Sequence, residues 1–522
     1  MLKQILAILC LYISVSGFAQ VGFVSNLPYT ENLSDVWHYA ASDSTEYALV
    51  GVFNGLSIVS LADPTNPIEV QFIERPESIW RDIKTWGTHA YVTNESAGGL
   101  LIVDLSGLPG VIDTISYRAR GLSSAHNIFI DENGVAYVVG ANIDNSGATM
   151  LDLTVDPEAP VFVGAYDTRY VHDVYVRNDT MYTAEIANGE FAIVDVTDKS
   201  NPTIIATQGT PMGFSHNTWL SPDGNTLAVT EEYPESFTVT FDISDPTDID
   251  QLGLFRSNWQ SRVIPHNTFY VQDWLVTSSY TDGITVVDAK RPQNLIETGR
   301  FDTSPFPSQG SFNGCWGVDP YLPSGLILAS DIEEGLFVLQ PEYQRASWLE
   351  GTITNATTSN PQIYARIELI GSSSPDVITG FDGKYYTGNK EPGLYDVRIS
   401  ASGCLTQIFS DVKLQRDSLT LVDAILTCTS TAVIDPGIEA LVFNVLPTLS
   451  NSNFNLEWSI PQSEFSVVSY IEVIDAVGRI RIHEKLENSS GNKQFGRNLS
   501  SGYYLVRIVY GDKQKSSRVI KR

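Results

Sequence analysis

Histidine, cysteine and methionine are scarce in this chain. Its 522 residues include only seven His, four Cys and four Met. Four cysteines cannot staple a disulfide-dense scaffold of this length, so the chain must rely on its own apolar core. Basic residues are also few: 32 Lys and Arg stand against 61 Asp and Glu, a formal charge of -29. Such a surface repels DNA, RNA and anionic membrane, so no nucleic-acid partner is expected. Past the N-terminus no run is apolar and long enough to span a bilayer. The motifs H-x-H, H-E-x-x-H and G-x-S-x-G are missing, and so is a P-loop, so no standard catalytic signature is present.

What is present begins with an export signal. Lys3 precedes an apolar stretch at 5–14, and "GFA" before Gln20 offers small residues for cleavage after Ala19. Cys10 lies inside the apolar stretch, but Leu9 before it is large where a lipidation site requires a small residue. Three cysteines remain after cleavage. Cys404 and Cys428 flank strand-like segments and are candidates for a disulfide, which export permits. No base neighbours Cys315 in sequence, so it reads as a buried thiol.

The dominant feature is a repeat. "LSIVSL" (56–61), "LLIVDL" (100–105), "TMLDL" (149–153), "FAIVDV" (191–196), "VTFDI" (239–243), "ITVVDA" (284–289) and "LFVL" (336–339) recur about 42 to 50 residues apart. Several are followed by turns such as "DPTNP" and "DPEAP". Residues 172–209 give four short β-rich runs, the pattern of a small antiparallel sheet. One such sheet cannot bury both faces, but seven arranged radially can. The expected fold is therefore all-β, a seven-bladed β-propeller over 20–340. The seventh unit lacks a fourth strand, and residues 20–29 resemble one. The N-terminal segment is expected to close the ring, which removes an exposed edge.

"FSHNTW" (214–219) and "IPHNTF" (264–269) are nearly the same phrase and open the innermost strand of their units. Aligned on this phrase, the equivalent pairs are His38-Tyr39, Arg81-Asp82, His126-Asn127, His172-Asp173, His216-Asn217, His266-Asn267 and Trp316-Gly317. Five of seven histidines then share one repeat position. In a meander the second strand ends on the same rim. Those ends carry Asn54, Glu95, Asn142, Glu185, Glu231 with Glu232, Tyr280 and Asp331. Imidazoles and carboxylates gathered at one channel mouth suit a divalent metal, with His126, His172, His216 and His266 as candidate ligands. They also suit acid–base chemistry. The competing reading is structural: a repeated polar residue that hydrogen-bonds the neighbouring blade, copied by duplication.

After Gln340 the repeat stops. Residues 346–427 alternate as strands around "DG" and "PG" turns, which indicates a small β-sandwich. Residues 428–440 read as a linker, and 441–522 as a third β-rich piece. That piece ends in Lys513, Lys515, Arg518, Lys521 and Arg522, a membrane patch or a secretion signal.

The repeats "LLIVDL" and "FAIVDV", with residues 215–232, resemble the LVIVD-repeat propellers of the choice-of-anchor B family. Gly351, Asp382-Gly383-Lys384-Tyr385 and Pro392-Gly393-Leu394-Tyr395 resemble a carboxypeptidase-regulatory-like, transthyretin-like domain. Residues 444–456, "DAVGR" (475–479), "LSSGYYLVRI" (499–508) and the final "VIKR" resemble the C-terminal sorting domain of type IX secretion substrates, with "VLPT" in place of the usual "YPNP". The resemblance implies type IX secretion machinery as partner and an extracellular or outer-surface location. Two functions follow. One is a surface binding protein with a glycan or protein ligand at the channel mouth. The other is a metal-assisted hydrolase or lyase using the His/Glu rim. A purely structural surface component is a third.

Overall fold

The computed structural model describes residues 21–428 and 442–521, the latter apart from 447–448, 451, 461–468, 476–479, 487, 498 and 511–512. The expected export signal at 1–19, most of the expected linker at 428–440, and Arg522 lie outside the described residues.

The described chain is almost wholly β. Residues 22–340 form seven four-stranded antiparallel sheets, six of them simple meanders. Their first strands are Leu33–Ala40, Ile83–Trp86, Asn127–Ile130, Asp173–Arg177, Ser215–Leu220, Thr268–Val271 and Cys315–Asp319. These sheets are called modules 1 to 7. In module 7 the fourth strand is Gly22–Leu27, paired antiparallel with Gly335–Gln340. First strands touch in succession from module 1 to module 6, and Cys315–Asp319 touches both Trp274–Ser278 of module 6 and Leu33–Ala40 of module 1, so the series closes on itself. This arrangement is consistent with a β-propeller.

The repeat has a physical cause in each module. Its third strand is apolar on both faces because a neighbouring sheet covers each face. Val59 and Val338, for example, share one apolar layer between modules 1 and 7. Tyr137, Met150, Val174 and Val194 share another between modules 3 and 4. The aspartate ending "V-D" is a turn device. Asp104, Asp195 and Asp242 each accept the backbone N–H two residues on. The aspartates of the "DP" turns do the same: Asp63 accepts from Thr65, and Asp245 from Thr247.

Residues 347–426 form two further four-stranded sheets around Leu349, Ile367, Tyr385, Val397 and Leu414. Cys404 and Cys428 are joined by a disulfide there. This unit is fastened to module 6. Arg291 clasps Glu350 through two hydrogen bonds of 2.8 and 2.9 Å. Buried Asn294 bonds both Glu350 and the Thr387 carbonyl. Arg345 reaches Asp288 at 2.9 Å. The last piece pairs a three-stranded with a five-stranded sheet over Phe454, Val473, Val506 and Ile508. Of its terminal basic cluster, Lys513, Lys515, Arg518 and Lys521 lie in the strand Lys513–Lys521 inside the larger sheet. Lys521 there is buried against the Ser452 carbonyl, and the Arg518 guanidinium lies over Phe381.

Candidate functional site

The channel is lined by the seven first strands, and its two ends differ. At one end sit Ser34, Arg81, His126, His172, His216, His266 and Trp316, one from each module. Pairing irregularities between Leu33 and Val36, Ser215 and Asn217, and Cys315 and Gly317 mark the same repeat position. His38 is therefore not a member of this set. It lies further along its strand, stacks on Trp37, and pairs with Asp319 at 2.7 Å. The shared position in module 1 belongs to Ser34.

Four histidines remain, and they stack in series. Ring centroids are 4.1 Å apart for His126–His172, 4.3 Å for His172–His216 and 4.5 Å for His216–His266. Gly140, at φ +60°, makes room, because a Cβ there would meet the His126 Cβ at 2.6 Å. His172 Nδ1–H donates to the His216 carbonyl at 3.2 Å, and His216 Nδ1–H to the His266 carbonyl at 3.2 Å. His266 Nδ1–H donates to the Trp316 carbonyl at 2.7 Å. A carbonyl cannot donate, so in all three the Nδ1 proton is fixed. Each imidazole thus ties its module to the next, and Nε2 is left as an acceptor. Arg81 acts in the opposite direction, giving its donors to the Val52, Phe53 and Pro76 carbonyls of the module before it. Burial drives His172 well below the ordinary histidine value, and the neighbouring His126 adds to this. Burial likewise takes His216 and His266 down to about 3.

The carboxylates expected on this rim divide. Glu95 meets His126 Nδ1 at 2.5 Å. Glu185 is buried and accepts from Tyr166, Thr183, Arg169 and Asn188. It holds its own loop and does not join the histidines. Asp331 accepts from the Thr303 hydroxyl and from the backbone of Glu333 and Glu334, a turn cap. Glu231 is buried beneath the rim and accepts the Met212 N–H. Its neighbour Glu232 is the carboxylate that faces the imidazoles, 3.5 Å from His216 Nε2 and 3.9 Å from His266 Nε2. The strand Thr226–Glu231 ends between them, with Glu231 its last residue and Glu232 the first beyond it. Buried Cys315 has its thiol pushed well up by that burial.

One layer deeper lie Asp35, Asp82, Asn127, Asp173, Asn217, Asn267 and Gly317. A Cβ on Gly317 would strike Asp35 Oδ1 at 2.6 Å, so this ring tolerates no side chain in module 7. Asn217 donates to Asp173 at 3.0 Å. Burial, then Asp82, pushes Asp173 up to about 6, and the same two causes raise Asp35 well above the carboxylate range. Lys84 is the cation of this layer, 2.6 Å from Asp82 and 3.8 Å from Asp35. Burial opposes its charge, but the two aspartates win and hold its pKa above the usual value. Its ammonium also lies 4.4 Å over Trp37.

At the far end the lining turns aromatic. Trp37, Phe129, Tyr175, Trp219 and Tyr321 surround a cup of about 480 Å³, with Lys84 at its base and Glu132, Arg177 and Asn178 also lining it. Four ring residues are followed three places later by an aromatic that reaches this lining: Ser34 by Trp37, His126 by Phe129, His172 by Tyr175 and His216 by Trp219. The cup was missed in the sequence, although that fixed offset was there to find it.

The comparisons bear on the two parts separately. Residues 42–73 and 168–210 match the LVIVD repeat, in modules 1 and 4. Residues 444–522 match the secretion system C-terminal sorting domain. The chain thus carries LVIVD repeats and a type IX sorting tail, which directs it to the cell surface or the extracellular space. No curated protein matches it. Among the described residues no helix is long and apolar enough to cross a membrane.

Proposed function

We propose that this is an exported surface binding protein of the choice-of-anchor B type, a closed seven-bladed propeller that takes a glycan unit into its aromatic cup. Residues 346–427, read as a carboxypeptidase-regulatory-like unit, act as a rigid spacer. The signal at 1–19 and the tail deliver the protein. The observation that carries this reading is the convergence of five aromatic side chains on about 480 Å³. That volume suits a small ligand. A sugar ring has apolar C–H faces and a hydroxyl edge. The faces match the aromatic walls, and the hydroxyls match Glu132, Arg177 and Asn178. Binding is favoured over hydrolysis because Glu185 and Asp331 are taken up by local hydrogen bonds.

The test is a glycan array followed by calorimetry on the hits. Trp219→Ala should weaken binding about 100-fold and cost about 3 kcal/mol of stability. Exposed Glu132→Gln should keep the fold and weaken binding about tenfold. Failure of the wild-type protein to hold any glycan at millimolar concentration would sink the reading.

A further inference from the structure

At the histidine end, opposite the cup, three acceptors face one another with no proton to share. His216 Nε2 and His266 Nε2 cannot carry one while Nδ1–H is committed to a carbonyl, unless the ring becomes cationic. Glu232 already receives a proton from Tyr280, whose hydroxyl donates to its Oε1 at 2.5 Å. The other oxygen, Oε2, faces His216 Nε2 at 3.5 Å. The ligand atoms of His216, Glu232 and His266 all lie within 4.8 Å of one another. A fourth acceptor is stranded beside them. Asn267 Oδ1 is buried without a hydrogen-bond partner among the described residues. Asn267 and both histidines line one void of about 20 Å³, room for a water molecule or a bare ion.

We infer that His216, His266 and Glu232 form a site for a zinc-type divalent transition-metal ion. Two imidazole nitrogens and a carboxylate are a recognised zinc ligand set, with a fourth position left open. Tetrahedral zinc with bonds of 2.0–2.1 Å separates its ligands by about 3.3 Å, close to the 3.5 Å seen between His216 and Glu232. The supporting contacts are also in place. Both Nδ1–H groups are held by carbonyls and Glu232 by the Tyr280 hydroxyl, which orients each ligand atom. Arg81 also lines the void, with its donors given to the Val52 and Phe53 carbonyls. A second group, His89, Asp104 and Glu158, meets the same distance test, but Glu158 is exposed and Asp104 caps a turn.

Asparagine can reproduce the Nδ1–H donor of histidine but not its Nε2 acceptor. His216→Asn and His266→Asn therefore keep the tie between modules and remove only the ligand. The exported chain, stripped with chelator, is titrated with zinc chloride and then dialysed for elemental analysis. Cobalt is the spectroscopic probe. Wild type should retain one zinc per chain, and cobalt should give intense visible bands typical of tetrahedral coordination. Each asparagine variant should bind zinc about 100-fold more weakly, and Glu232→Gln at least about tenfold more weakly, with apo melting temperatures close to wild type. Three results would overturn the inference: no zinc retained by wild type, zinc retained by the double asparagine variant, or zinc lost in His89→Asn.

Discussion

The two ends of the channel are built from the same strands and have opposite chemistry. At one end, three imidazoles spend Nδ1–H on the backbone of the next module, so ring closure and acceptor geometry come from one residue type. At the other, aromatic side chains three residues later leave an open cup. Charge divides similarly. The buried histidines are held neutral. For His38 burial favours the neutral form, yet the Asp319 carboxylate wins and raises its pKa. Histidine identity alone therefore says little. What decides its state is whether it meets a carbonyl in a dry channel or a carboxylate. Lys84 stands between the two ends, with aspartates on one side and Trp37 on the other.

The largest effect should come from removing that divider. Lys84→Met removes the cation 2.6 Å from buried Asp82 and should cost about 3–5 kcal/mol in a denaturant melt. A loss below about 1 kcal/mol would mean that Asp82 does not depend on Lys84 as its counter-ion. Next comes the acid limb. The folded values of His216 and His266, about 3, lie below the unfolded value of about 6.5. The unfolded chain binds more protons between these limits, so stability should fall as pH drops from 6.5 towards 3. Asp173, raised to about 6, works the other way and gains stability on protonation, which softens the upper part of the fall. The double variant His216→Asn/His266→Asn should flatten this limb in a pH series of melting temperatures. The smallest effect belongs to His38→Ala. Its folded pKa is raised, so its contribution of about 1 kcal/mol should be present below pH 6.5 and vanish as pH rises through the folded value. A loss independent of pH would show that packing on Trp37, not the Asp319 pair, is what His38 supplies.

Much of the fold could be read in advance, because "LLIVDL" and its relatives repeat an apolar third strand and a turn-forming aspartate that chemistry makes obligatory. The candidate site was legible where residue type and register coincide, as at His126, His172, His216 and His266. It failed at His38, because matching on a histidine–polar pair ignored the pairing irregularity that places Ser34 at the shared position. Glu231 and Glu232 are adjacent, and the end of the strand Thr226–Glu231 falls between the buried one and the one facing the imidazoles. The cup was hidden for a different reason. Phe129, Tyr175 and Trp219 would suit an interior layer equally well, and only their common offset from the ring distinguishes them.

The pairing of Gly22–Leu27 with Gly335–Gln340 makes one module depend on both ends of the ring sequence. The chain's first strand has no partner until some 300 residues later its mate emerges. Until then six meanders can form locally, but the circle stays open with two raw edges. Closing so long a loop costs only logarithmically more than a short one. Deleting residues 22–27 would leave the Gly335–Gln340 edge of module 7 bare, a template for a second chain.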